Sequence, residues 1–183
     1  LWEGNVVAGR SNRLVARFAT ARAVAWRETT ADAPWSDPET HHTGTPVRDL
    51  AKVSRSAARR ALGIGDGALL LLAFGGSQRA LRLESALSGV LESTIAEAAA
   101  AGLPAVIVPY PYAGGHQRAN ATAFAAAGGG LLIDDVDCTP ARLAEALEHF
   151  RSPALRSAAA VAARAIARPD AAESIATILF RIA

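Results

Sequence analysis

Three short segments of this chain combine residue types in spacings that suit a phosphorylated ligand. The first is Gly75-Gly76-Ser77, directly after the apolar run 69–74. Glycines that follow a buried parallel strand let a ligand approach the backbone. The next helix then offers free N–H groups and the positive end of its dipole to a phosphate. Many strand-to-helix turns hold glycine for turning alone, so this motif by itself leaves both readings open. The second is Ser93-Thr94-Ile95-Ala96-Glu97. Read locally it is a capping box, with Glu97 three residues after Thr94. Read functionally it sets a hydroxyl and a helix N-terminus against a diphosphate, and Glu97, one turn in, accepts from a ribose diol. The third runs over 109–120: a proline-stiffened turn, Gly114-Gly115, then a helix carrying Gln117 and Asn120. Three apart, these two share a helix face. That layout aims an amide at sugar hydroxyls, although an ordinary solvated helix start has the same composition.

Other candidates carry less. His41-His42 has no third ligand at a suitable spacing, so no metal site is expected there. Asp134-Asp135 follows an apolar run and reads as turn chemistry. Cys138 is the single cysteine, which excludes an internal disulfide framework and a cysteine metal cluster. No Ser/His/Asp arrangement follows from the spacings.

These segments need a scaffold, and the composition indicates which. The chain has 183 residues, 51% apolar and 5% aromatic. That is enough for one sizeable core built from alanine-rich helices packed close to a sheet. Lys and Arg total 19 against 17 Asp and Glu, a balance that gives no reason to expect nucleic-acid binding. No apolar run reaches the roughly 18 residues of a bilayer span. The N-terminus lacks a signal-peptide layout, and the chain starts at Leu1 with no Met anywhere, so it reads as a piece of something longer.

Short apolar runs at 22–26, 69–74, 104–109 and 131–133 read as strands. The pair at 69–74 and 104–109 looks covered on both faces. Helices are expected at 12–19, 50–62, from 78 to about 91, from 93 to Gly102, at 117–127, from Pro140 to Phe150, at 153–167 and from 170 to 182. The last carries Ile175, Ile178, Leu179 and Ile182 as an amphipathic stripe. Residues 28–46, with three prolines, read as loop. Strands alternating with helices predict an α/β fold: a parallel, Rossmann-like sheet flanked by helices.

In their order along the chain, these segments resemble the MurG family, which transfers N-acetylglucosamine from UDP-N-acetylglucosamine to lipid I. Trp2-Glu3-Gly4-Asn5, with Ala8-Gly9 and Asn12-Arg13, is similar to the family's His-Glu-Gln-Asn stretch and the Gly and Asn after it. Gly44-Thr45-Pro46-Val47-Arg48 is similar to the Gly-Asn-Pro-Val-Arg that opens the second domain. Gly75-Gly76-Ser77-Gln78, Ser93 to Glu97, Ala101-Gly102-Leu103-Pro104, His116-Gln117 with Asn120-Ala121, and Pro169-Asp170-Ala171 continue the series.

The resemblance implies the C-terminal half of a GT-B fold, truncated. Residues 1–27 would be a remnant of the acceptor domain and 28–46 a linker. Residues 47–167 would be the UDP-sugar domain, shortened between 78 and 93, and 168–183 a terminal helix. Asn5, Arg48, Ser77, Thr94, Glu97, Gln117 and Asn120 would bind the donor. Ser77 and Thr94 would serve the diphosphate, Glu97 the ribose, and Gln117 with Asn120 the sugar. The reaction would invert the anomeric carbon, with no metal or other cofactor. The general base would lie in the absent N-terminal part. The partners would be UDP-N-acetylglucosamine, lipid I and, through that absent part, the cytoplasmic face of a bacterial plasma membrane.

Several departures stand out. Sixteen residues, 78–93, separate Ser77 from Thr94, where the family has about two further strand–helix units. Trp2, Gly4 and Thr45 replace His, Gln and Asn. Glu92 stands where the family has a small residue beside the phosphates. The alternatives to an active transferase are a non-catalytic remnant or an unrelated nucleotide-sugar-binding α/β domain.

Overall fold

The computed structural model describes residues 1–31, 39–48, 54–72, 91–111 and 115–182, with side chains 30–31 and 91–94 left aside. The Gly75-Gly76-Ser77 turn and the helix expected after it lie outside the described residues. Contacts divide the chain into two compact units: Leu1–Val47 with Leu91–Ala183, and Arg48–Val90.

The first unit opens with three parallel strands in chain order: β1 (Trp2–Glu3), β2 (Arg22–Val24) and β3 (Thr40–His42). Helix α1 (Arg10–Val15) and a tight turn over Ala16–Phe18 carry the chain from β1 to β2. Val24 is buried against Ala8 and Ala16. The buried Arg22 guanidinium donates to the Ala16 carbonyl from Nε and Nη2, at 3.0 and 2.8 Å. β3 falls inside the segment whose prolines and polar residues read as loop. Its Thr-His-His sequence has no apolar alternation to announce a strand, and the ladder with β2 supplies the order instead.

The same unit holds a second parallel pair, β4 (Ala105–Ile107) and β5 (Gly130–Leu132). Helix α4 (His116–Ala126) connects them, and α3 (Leu91–Ala101) precedes β4. Helices α5 (Pro140–His149), α6 (Pro153–Ile166) and α7 (Ala171–Ile182) follow. Thr139 and Ser152 cap α5 and α6, accepting from Arg142 N and Leu155 N, and each helix begins at proline, as the sequence suggests. At the end of α4, Gly128 takes φ +87°, its N–H reaches Ala125 O, and Gly129 N reaches Phe124 O. Only glycine takes that conformation without strain.

The core joins Ile95 and Ala99 of α3, Ile107 of β4, Ala121 and Phe124 of α4, and Ala163 of α6. Trp26, just beyond β2, packs on it. Alanine on three helices lets them approach closely, so one large side chain, Phe124, fills the centre. Glycine at 129 and 130 makes room for it, because a Cβ at either position would come within 3.0 Å of its ring. The stripe on α7 is only half-buried, with Leu179 and Ile182 exposed.

In the second unit, α2 (Arg55–Ala61) is capped by Ser54, whose hydroxyl accepts from Ala57 N. The buried Arg59 side chain folds onto the carbonyls of Gly65 and Ala68. Here the structure corrects a sequence expectation. Leu69 to Leu72 form no strand and are 62, 55, 63 and 70% exposed. An apolar run becomes a covered strand only when a neighbour supplies its ladder, and among the described residues these leucines have none.

Candidate functional site

The chain leaves β1 at Glu3 and enters a loop, residues 4–9, that is held from both sides. Glu3 is 2% exposed, and its carboxylate satisfies four donors. Oε1 accepts from Asn5 N and Asn5 Nδ2 at 2.9 and 3.0 Å. Oε2 accepts from Gly9 N and Asn12 Nδ2 at 2.8 and 3.0 Å. Burial pushes the Glu3 carboxyl up, the largest single effect. The donors from Gly9, Asn12 and Asn5 together outweigh it, so the group lies below the usual glutamate range.

From the other side comes α4. Asn120, 2% exposed, donates from Nδ2 to Asn5 Oδ1 at 2.9 Å and accepts from Val6 N at 2.8 Å. His116 Nδ1 lies 2.8 Å from Val7 O. A carbonyl only accepts, so Nδ1 carries the proton in this contact. Gly115, at φ +81°, turns the chain into α4. Gln117 Oε1 accepts from Tyr110 N at 3.0 Å, tying the segment after β4 to the first turn of α4. Buried Thr29 closes the cluster by donating to Asn5 O at 2.8 Å. The loop after β1 and the turn after β4 both leave the carboxyl ends of parallel strands, where ligands of α/β sheets bind.

The seven expected site residues are placed unevenly. Asn5 and Asn120, 115 positions apart, are in direct contact, and Gln117 sits one turn before Asn120 on the same helix. Glu97 is half-buried on α3, which packs against α4 through Ile95, Ala99, Ala121 and Phe124. Thr94 lies on α3, with its side chain outside the described set. α3 is described from Leu91 onward, so Thr94 lies within the helix rather than at the cap expected of it. Leucine and glutamate are good helix formers and let the helix start earlier. Arg48 is exposed and belongs to the second unit. Ser77 lies outside the described residues.

Glu3, Asn12, Thr29 and His116 join the cluster without having been assigned a role from sequence. Glu3 and Asn12 stand in the motif that carries the resemblance, but spacing alone does not reveal a buried carboxylate that gathers backbone donors. The departures at Trp2 and Gly4 also become intelligible together. A Cβ at residue 4 would lie 2.7 Å from the Trp2 ring, so the large residue at 2 and the absent side chain at 4 accommodate each other. Trp26 Nε1 donates to Gly4 O at 3.1 Å and holds the buried backbone there.

The weaker candidates find structural partners. Asp134 forms a two-pronged pair with Arg118, at 3.0 and 2.8 Å. That guanidinium holds the Asp134 carboxyl below its usual range. His42 Nε2 lies 3.1 Å from Ala25 O, and burial depresses its pKa. Cys138 is buried beside Ile133 and Ala146. Among the described residues, no group of three or more His, Cys, Asp or Glu could hold a metal ion. No helix among them is long and apolar enough to cross a membrane.

Residues 92–175 match the glycosyltransferase family 28 C-terminal domain. A UDP-N-acetylglucosamine--N-acetylmuramyl-(pentapeptide) pyrophosphoryl-undecaprenol N-acetylglucosamine transferase of Desulforudis audaxviator is 29% identical, over 99% of this chain and 66% of its own length. The protein of that name from Mycolicibacterium vanbaalenii is 30% identical, over 99% of this chain and 59% of its own length. The chain thus spans less than two thirds of these relatives. The Desulforudis alignment runs over 248 positions, 65 more than the 183 residues present here, so that relative carries residues inside the matched span that this chain lacks. The crystal structure of Acinetobacter baumannii MurG superposes with a TM-score of 0.67 over 98% of this chain and 66% of that one, at 22% identity. At that identity the likeness speaks for the fold, an α/β architecture with parallel strands flanked by helices. The chain is therefore similar along nearly its whole length to the undecaprenol N-acetylglucosamine transferases, and its residues 92–175 match the glycosyltransferase family 28 C-terminal domain.

Proposed function

We propose that this chain is the donor-binding portion of an inverting transferase that moves N-acetylglucosamine from UDP-N-acetylglucosamine to lipid I, forming lipid II. The observation that carries the reading is the Asn5–Asn120 contact. It brings the first of the resembling motifs to the head of α4, beside Gln117 of the later one. In this reading Gln117 and Asn5 meet the sugar, and Asn120 acts through Asn5. Glu97 takes the ribose diol. By the resemblance, Thr94 and Ser77 would serve the diphosphate and Arg48 would contact the donor. The leaving diphosphate is stabilised by N–H groups and helix dipoles, which act in place before charge develops.

The shortened span 78–93 is where we place the residues that the longer alignment says are missing. Together with the share of the relatives that these 183 residues do not span, it leads us to expect donor binding without transfer. Peripheral attachment to the cytoplasmic membrane face also belongs to this reading. In the resemblance that attachment belongs to the part of the relatives this chain does not span, so weak membrane affinity is expected of these residues alone. Incubation with UDP-N-acetylglucosamine and a lipid I analogue tests the catalytic part. No UDP release is expected from this chain, and turnover would contradict the remnant reading. Donor affinity tests the binding part.

A further inference from the structure

Glu3 is a buried carboxylate that no step above uses. It is charged, 2% exposed and surrounded by four donors at 2.8 to 3.0 Å. Every lone-pair direction that faces the protein is therefore occupied, so the group has no position from which to take a proton from a substrate. Its neighbours reveal a different task. Two of the four donors belong to Asn5, whose carbonyl oxygen receives Asn120 Nδ2. A third is the N–H of Gly9, which closes the loop. Between them, Val6 N and Val7 O are held by Asn120 and His116 on α4.

We infer that Glu3 is a positioning residue: its carboxylate fixes the side chain of Asn5 and the loop 4–9, and through Asn120 and His116 it sets the first turn of α4, where Gln117 lies. The inference rests on the proposed donor site for its functional consequence, but the structural coupling stands apart from it. The link is directional. An amide at residue 3 keeps one acceptor oxygen and turns the other end into a donor facing the Gly9 and Asn12 donors, so half the anchor becomes repulsive while size and shape stay the same.

The test compares the chain with Glu3→Gln and Glu3→Asp by amide exchange without ligand, and by calorimetry with UDP and with UDP-N-acetylglucosamine. In Glu3→Gln the amides of Gly9 and Val6 lose protection together, although Val6 is bonded to Asn120 and not to residue 3. Unchanged protection at Val6 overturns the coupling whatever any ligand does. In the calorimetric arm, Glu3→Gln loses about tenfold in affinity for the nucleotide sugar, the worth of one or two hydrogen bonds, and keeps its affinity for UDP. Glu3→Asp, which retains the charge, recovers part of the loss. An equal loss for both ligands makes Glu3 a merely structural residue and overturns the positioning role. If the unsubstituted chain binds neither ligand, the donor reading has failed, and the exchange arm alone decides whether Glu3 sets the loop.

Discussion

Two apolar runs, Leu69 to Leu72 and Ala105–Ile107, look alike in sequence and end differently. Both precede turns that bear on the candidate site, and the leucine run is the more hydrophobic. Yet Ala105–Ile107 forms a strand, and the four leucines stay exposed. The difference lies in their surroundings. Ala105–Ile107 has β5 for its ladder, with Phe124, Ala121 and Ala163 over one face. Among the described residues the leucines have neither. Hydrophobicity proposes a strand, and pairing with burial decides it.

The comparison can be broken at its stronger end first. Phe124→Ala removes the central side chain of the core on which β4 rests, and should destabilise the first unit by about 3–5 kcal/mol, read by denaturant unfolding. Loss of less than about 1 kcal/mol would mean that the packing does not hold β4. A sharper version pairs two truncations. Ile107→Ala should cost about 2–4 kcal/mol as a buried aliphatic side chain. Leu71→Ala should stay within about 0.5 kcal/mol, as an exposed one does. Equal costs would erase the distinction between the runs.

The loop held by Glu3 adds a polar counterpart to the buried strand. Glu3→Gln should cost about 2 kcal/mol near neutral pH, as expected when donors lose a charged acceptor. Glu3 has a depressed pKa in the folded protein. Its contribution is therefore complete above the ordinary glutamate range and falls away as the pH drops through the lower folded-state value. The stability gap between the chain and Glu3→Gln should narrow on acidification, followed by urea titrations across the acid range. A gap that widens toward low pH would contradict the sign.

Much of this was legible in sequence, for local reasons. Thr139-Pro140 and Gly128 announce helix ends through a cap and a left-handed turn, chemistry that needs no tertiary partner. The strand at Thr40–His42 was not legible, because its order comes from β2, and its residues read as loop. The leucine run misled for the converse reason, having the composition of a strand without a partner among the described residues. At the site, Asn5, Gln117 and Asn120 were marked by motif. Glu3 and His116 stood in the motifs without a role, and Thr29 outside them, because what they do depends on backbone groups that only folding brings within 3 Å. The mutual fit of Trp2 and Gly4 likewise needs the ring's position.

The central claim is that this chain holds a nucleotide sugar, and calorimetry with UDP-N-acetylglucosamine tests it most directly, with Glu97→Ala alongside. The account predicts measurable binding that weakens about tenfold in Glu97→Ala as the ribose diol loses its acceptor. No binding by the unsubstituted chain, or equal affinity in Glu97→Ala, would contradict it.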